Sequence, residues 1–350
     1  MTIVGARPQF IKAAPVSHVL REHHHEYLVH TGQHFDPEMS DVFFEELNIP
    51  KPDINLGIGA LSNVEQVSQM MAALKPLLES QQPDWVLVYG DTNSTLAGAL
   101  AAALLKLPVA HVEAGLRSYN RDMPEETNRV LTDHVSRALF CPTQTAVSNL
   151  AREGITENVY HVGDVMLDAL VQNRTRAGNR VLDDHRLHSG GYFLATIHRA
   201  SNTDQPSHLA SIFAAFARFS DTPIVVPVHP RLRQSLDRAQ VQVSPNVILL
   251  PPLGYLDILG LAASAKIILT DSGGLQKEAY MLGVPCVTLR EETEWVETVE
   301  AGWNRLAGTG VDSIVSAVDQ ALNRTPTVRP PLFSDGRASQ RIVETLASLS

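Results

Sequence analysis

Short runs of β-branched and aliphatic residues alternate with helix-length amphipathic segments along nearly the whole chain. The runs Thr2–Val4, Tyr27–Thr31, Trp85–Tyr89, Val109–Val112, Ala138–Cys141 and Val159–Val162 form a first series of expected strands. A second series follows at Tyr192–Thr196, Ile224–Val228, Val247–Leu250, Ile267–Thr270 and Cys286–Leu289. Each run is apolar throughout, the pattern of a parallel strand covered by helices on both faces. Helix starts are marked between them. Ser62-Asn63-Val64-Glu65 reads as a capping box opening Asn63–Glu79. Asp36-Pro37 sets a cap before a proline at the first position of a helix ending at Leu47. The order is βαβα, a doubly wound α/β chain.

A polar stretch around Gln172–Gly191, rich in Arg, Asn, Asp, His and Gly, divides the two series and reads as a linker. Two Rossmann-like domains are expected, at 1–168 and 169–334, with a helical tail at 335–350 returning to the first. The first strand is short, as if a few N-terminal residues were absent.

Composition narrows the class. The 350 residues are 44% hydrophobic and 19% charged, an ordinary globular balance, with a formal charge of -10. An acidic chain lacks the broad basic surface that nucleic acid or an anionic membrane requires. Two isolated cysteines, Cys141 and Cys286, give neither a disulfide framework nor a zinc spacing and suit a reducing cytoplasm. No apolar stretch reaches the roughly 18 residues that span a bilayer. The consecutive His23–His25 point different ways at a helix end and make no metal site.

In parallel α/β sheets ligands bind beyond the carboxyl ends of the strands, which turns those ends into the shortlist. The first strand runs into Gly5-Ala6-Arg7-Pro8, and Arg7 and Lys12 can both reach an anion there, or stand as a solvated pair. Asp91 and Glu113 each follow an apolar strand at once, on one edge of one sheet. Asp91 before Thr-Asn-Ser-Thr is also a good helix N-cap, whereas Glu113 has no capping reason to be there. Glu125 and Glu126 open a helix behind Pro124, where glutamate also complements the helix dipole. Three acids near one edge suggest proton transfer, because like charges in a poorly solvated place raise at least one carboxylate pKa.

The second series offers an anion site. Asp271-Ser272-Gly273-Gly274 follows a buried strand and opens a helix, whose exposed amides and dipole favour phosphate. Glu278, one turn in, can accept hydrogen bonds from ribose hydroxyls. His198 and His229 sit at strand ends by the same rule, or are hydrogen-bonded structural histidines. No GxGxxG follows a strand, and GxxxxGK[ST], HExxH and GxSxG are all missing. Nicotinamide redox, P-loop and zinc-hydrolase readings lose their main support.

These residues carry a family resemblance. Gly5–Pro8 with Ile11-Lys12, Thr31–His34, Gly90–Thr92, His111–Arg117, Pro124–Arg129, Thr196–Arg199, Pro227–Pro230 and Asp271–Gly274, in this order, resemble the non-hydrolysing UDP-N-acetylglucosamine 2-epimerases. The resemblance implies a GT-B fold of two facing Rossmann-like domains, with the ligand in the cleft between them. It implies a cytoplasmic homodimer without metal or redox cofactor, serving cell-surface polysaccharide biosynthesis. It also implies an isomerase that removes the C2 proton of a UDP-sugar, expels UDP to leave 2-acetamidoglucal, and adds UDP back with protonation from the other face. Asp91, Glu113 and Glu125 would handle protons, with His198 assisting near the diphosphate. Arg7, Lys12, Arg117 and His229 would meet the substrate, Ser272, Gly273 and Gly274 would hold phosphate, and Glu278 the ribose.

There are departures. Arg7-Pro8-Gln9 stands for the family's Arg-Pro-Glu, and His198–Asn202 for His-Arg-x-Glu-Asn. Thr293-Glu294-Trp295-Val296-Glu297 replaces Thr-Glu-Arg-Pro-Glu and loses an arginine that could touch the diphosphate. The wording is closer to the branch that epimerises UDP-2,3-diacetamido-glucuronate. The arginine expected after Asp53–Leu56, tied to allosteric activation by UDP-GlcNAc in some members, is missing from Gly57–Val64. A GT-B glycosyltransferase and a non-catalytic nucleotide-sugar sensor are the competing readings.

Overall fold

The computed structural model describes residues 1–33 and 44–349. His34 and the helix start expected at Asp36-Pro37 lie outside the described residues. The chain divides into two compact units, Met1–Gln172 with Phe333–Ser350, and Asn173–Leu332.

Among its described residues the first unit holds seven strands: β1 (Thr2–Val4), β2 (Leu28–His30), β3 (Ile54–Asn55), β4 (Val86–Tyr89), β5 (Val109–Val112), β6 (Ala138–Cys141) and β7 (Val159–His161). Their order is β3-β2-β1-β4-β5-β6-β7, with every neighbouring pair parallel. All four residues of β4, of β5 and of β6 are buried, which is why the runs read as continuous apolar segments. The helix Asn93–Leu104 lies close enough to the sheet that a Cβ on Gly98 would come within 2.9 Å of Ile3.

The second unit holds β8 (Phe193–Thr196), β9 (Ile224–Pro227), β10 (Val247–Leu250), β11 (Ile267–Thr270), β12 (Cys286–Thr288) and β13 (Asn304–Leu306), all parallel in the order β10-β9-β8-β11-β12-β13. The twofold alternation of strand side chains divides its core between the two sheet faces. Phe193, Ala195, Ile267 and Leu269 enter one apolar cluster, and Leu194 and Ile268 enter the other.

Two edge strands, β3 and β13, escape the hydrophobic pattern because one is two residues long and the other is Asn-Arg-Leu. The polar stretch expected as a linker begins where the two units divide, and most of its residues are exposed. A short helix, Arg180–Asp184, interrupts it, and Val181, Leu182 and Leu187 enter the second unit's core. Three apolar residues scattered among charges leave no period to read. The capping box at Ser62 forms as expected, with Glu65 Oε2 accepting from the Ser62 amide at 3.0 Å. The tail helix Ala338–Leu349 packs on Arg7–His23. Asp168 receives its first amides, Ala338 at 3.2 Å and Ser339 at 2.7 Å. Among the described residues no helix is long and apolar enough to cross a membrane.

Candidate functional site

In each sheet the strand order reverses direction at one point, between β1 and β4 and between β8 and β11, where open α/β sheets bind ligands. Both points are built by side chains that pin one strand-end turn to the next.

In the first unit Gln9 is the pin. Its Oε1 accepts the Gly5 and Ala6 amides at 2.8 and 3.0 Å, and its Nε2 donates to the Tyr89 carbonyl and Thr95 Oγ1, each at 3.0 Å. Both donor and acceptor ends are used, so the neutral amide fits where a carboxylate could not donate. Gly5 has no room for a side chain, since a Cβ would fall 1.9 Å from Thr31 Oγ1. Lys12 lies with its Nζ 2.8 Å from Glu113 Oε2, both side chains 8% exposed. Gly90 (φ +63) lets that ammonium pass over the turn before Asp91, for a Cβ would stand 2.9 Å from it.

Glu113 itself has φ +71, an uncommon conformation for a residue with a side chain, of a kind that gathers at functional sites. Asp91 Oδ2 is 2.6 Å from Arg129 Nη2, and Thr92, not Asp91, caps the following helix. The capping alternative for Asp91 thus passes to its neighbour. The sequence argument set acid against acid; the folded chain sets a cation against each of these two.

The helix Pro124–Val135 separates its adjacent glutamates. Glu126 is buried and accepts from the Ser118 amide and hydroxyl and the Tyr119 amide, each at 2.9 Å, and from Arg129. It holds the loop. Glu125 is half-buried and stands one turn before Arg129, on the side of the helix that meets Asp91.

Arg117, expected at the substrate, has a side chain only 1% exposed. It grips Glu153 with two nitrogens at 2.6 and 2.7 Å and Asp133 with a third at 2.7 Å. Its length and planar fork suit the buried pair, and three of its nitrogens are engaged within the first unit. Burial pushes the Asp133 carboxyl up, but the charges and hydrogen bonds of His111 and Arg117 outweigh it and hold it below the usual range.

In the second unit Asp271, fully buried after β11, gathers the loop after β8. It accepts from the His198 and Arg199 amides, from Asn202 Nδ2 at 3.0 Å, and lies 3.0 Å from His198 Nδ1. Burial raises its pKa, yet the His198 charge and these donors together bring it below the ordinary value. The ring is fixed through Nδ1 while half its side chain remains exposed. Ser272 caps the helix Gly273–Leu282, accepting from the Leu275 amide. Glu278 is buried one turn in. Burial, and behind it the charge of Glu278, push the Tyr255 phenol well above its usual range. His229 is exposed and caps the helix Pro230–Ala239 through its ring, which accepts from the Arg231 amide at 3.3 Å.

Gln9, His111, Arg129, Asp133 and Asn202 are the residues that sequence reasoning did not assign. One signal was available for two of them. Glu126, Arg129 and Asp133 recur at helical spacing on the buried side of Pro124–Val135, polar where a packed helix would be apolar.

The sequence profile of the family described as UDP-N-acetylglucosamine 2-epimerase matches residues 18–347. The chain is 49% identical to a UDP-N-acetylglucosamine 2-epimerase homolog of Methanococcus maripaludis, over 100% of this chain and 99% of that one. It is 47% identical, over the same shares, to the UDP-2,3-diacetamido-2,3-dideoxy-D-glucuronate 2-epimerase of Pseudomonas aeruginosa. Among solved structures, the Methanocaldococcus jannaschii UDP-GlcNAc 2-epimerase in complex with UDP-GlcNAc and UDP superimposes with a TM-score of 0.94 at 41% identity, covering 99% of both chains. With β-sheet order, strand-end chemistry and these likenesses in agreement, the chain belongs to the UDP-N-acetylglucosamine 2-epimerases, a family of isomerases with the GT-B fold.

Proposed function

We infer that the protein interconverts UDP-GlcNAc and UDP-ManNAc by inverting C2. The observation that carries this reading is the pair of carboxylates at the ends of neighbouring strands β4 and β5, Asp91 against Arg129 and Glu113 against Lys12. One carboxylate takes the proton from C2. The C–H electron pair forms a C1–C2 double bond as the C1–oxygen bond breaks, and UDP leaves with that bonding pair. UDP then adds back to C1 while a proton is delivered to the opposite face of C2. Glu125 is the third acid on this relay. Arg7 and Lys12 meet the substrate from the first unit. Ser272, Gly273 and Gly274 hold the diphosphate at the helix start, Glu278 holds the ribose, His229 contacts the nucleotide, and His198, oriented by Asp271, supports UDP as it leaves.

Running the reaction in deuterium oxide tests the mechanism by NMR. Epimerisation places deuterium at C2, whereas a glycosyl transfer leaves C2 protiated and would end this reading.

A second substrate, UDP-2,3-diacetamido-2,3-dideoxy-glucuronate, is supported by the 47% identity to the Pseudomonas aeruginosa epimerase of that sugar, and Trp295 is the departure nearest the proposed phosphate site. This indole is buried, packs 4.2 Å from the Lys277 ammonium, and stands beside Gly273 at the proposed phosphate site. A panel of both UDP-sugars separates the two, the faster kcat/KM deciding. The setting we infer is a cytoplasmic homodimer supplying sugar for cell-surface polysaccharide. Two buried free cysteines suit a reducing compartment, burial lifting the Cys286 thiol to about 12 and Cys141 higher still.

A further inference from the structure

The strongest feature outside these assigned roles is the buried charged cluster beneath the two acid-bearing turns. His111 lies on β5 with no exposure. Its Nε2 is 2.7 Å from the Gly90 carbonyl oxygen, and its Nδ1 is 2.7 Å from Asp133 Oδ1. The other Asp133 oxygen accepts the Gly115 amide at 3.1 Å and Arg117 at 2.7 Å. Gly90 immediately precedes Asp91, and Gly115 closes the turn that begins at Glu113. One imidazole and one carboxylate thus link both turns.

A carbonyl oxygen only accepts, so Nε2 must donate. Asp133 already receives two donors on its far oxygen, which suits an ionised carboxylate, so Nδ1 donates as well. The charges then balance within the cluster: His111 and Arg117 against Asp133 and Glu153. Around it lie His134, whose Nδ1 is 3.8 Å from Glu153, and the Cys141 thiol.

We propose that His111, protonated on both ring nitrogens, is a positioning residue that ties the Asp91 turn to the Glu113 turn and sets the separation of the two acids. It touches no substrate; it acts through the backbone at Gly90 and through Asp133 at Gly115. The Glu113 turn needs such a tie because Glu113 has positive φ, whereas Gly90 and Gly115 take theirs without cost. A left-handed backbone with a side chain at Glu113 relaxes unless neighbours hold it.

The proposal rests on the epimerase reading only for its kinetic consequence, so two measurements are made. In wild-type protein labelled with 15N-histidine, the His111 ring at neutral pH shows two protonated nitrogens. A neutral ring with a single N–H, hydrogen-bonded to a protonated Asp133, overturns the proposal whatever the activity. In His111→Gln and Asp133→Asn, kcat falls about 10- to 100-fold, as expected for acids misplaced by about an ångström. KM and UDP affinity stay within about twofold, because the phosphate and ribose groups are untouched. A folded His111→Gln enzyme with wild-type kcat overturns the positioning role. If that variant does not fold, the ring spectrum of the wild-type protein decides. An inactive wild-type protein would refute the epimerase reading and leave the ring measurement intact.

Discussion

The two sheet reversals are built on one plan and given opposite chemistry. Each has a short side chain, Gln9 in one and Asp271 in the other, collecting backbone amides from one strand end and fastening them to the next. In the first unit the groups so placed are carboxylates with cations against them, suited to moving protons. In the second they are a glycine-led helix start and a half-exposed histidine, suited to holding an anion. The lesson is that topology selects the place and a few side chains after the strands select the task. Activity and nucleotide binding should therefore be separable by mutation.

The largest separation is expected at Glu113. Glu113→Gln removes the carboxylate but keeps the shape, so turnover should drop roughly 10²- to 10⁴-fold or below detection. UDP affinity by calorimetry should stay within about twofold. Full activity in this variant would remove Glu113 from the relay. The mirror change, Ser272→Trp, should abolish UDP binding in the same titration while the melting temperature of the protein stays close to wild type. Binding that survives the indole would move the phosphate elsewhere.

Smaller effects test the pins. Gln9→Glu removes one of the two donors to the Tyr89 carbonyl, leaving it Thr95 Oγ1, and sets a carboxylate oxygen beside that carbonyl, so urea unfolding should show a loss of about 1–3 kcal/mol. A variant as stable as wild type would mean that the Thr95 hydroxyl alone satisfies the Tyr89 carbonyl and that Gln9 is no pin. Asp271→Asn should cost a similar amount at pH 7, and its pH dependence carries the sign. The Asp271 pKa is depressed in the fold, so its contribution is present above the unfolded value near 3.9 and lost as pH falls through the lower folded value. The stability gap between wild type and Asp271→Asn should narrow below about pH 4. A gap constant across that range would mean the carboxylate is not held by its donors.

Much of this was readable in the chain. Buried strands announce themselves by unbroken apolar runs, and Asp91, Glu113 and Ser272 lie within two residues of the ends of β4, β5 and β11. What stayed hidden was partnership across long sequence separations. Arg129 lies 38 positions from Asp91 and Asp133 22 from His111, and helical spacing within one segment says nothing of which strand end it will meet. Arg117 shows the converse. Inside a family motif beside Glu113 it resembles a ligand contact, but its guanidinium is held by Glu153, a residue of ordinary appearance at the end of a distant helix. The edge strands β3 and β13 were lost for a plainer reason, since one is two residues long and the other is Asn-Arg-Leu.

The clasp between Asp168 and the tail helix has a consequence for synthesis. Residues 333–349 complete a unit whose remainder was made some 160 residues earlier. Asn173 to Leu332 must all leave the ribosome before helix Arg7–His23 is covered, so the second unit can close as an unbroken stretch while the first waits. During that interval the apolar surface destined for Ile342 and Leu346 is open to water, and chaperones would find it there.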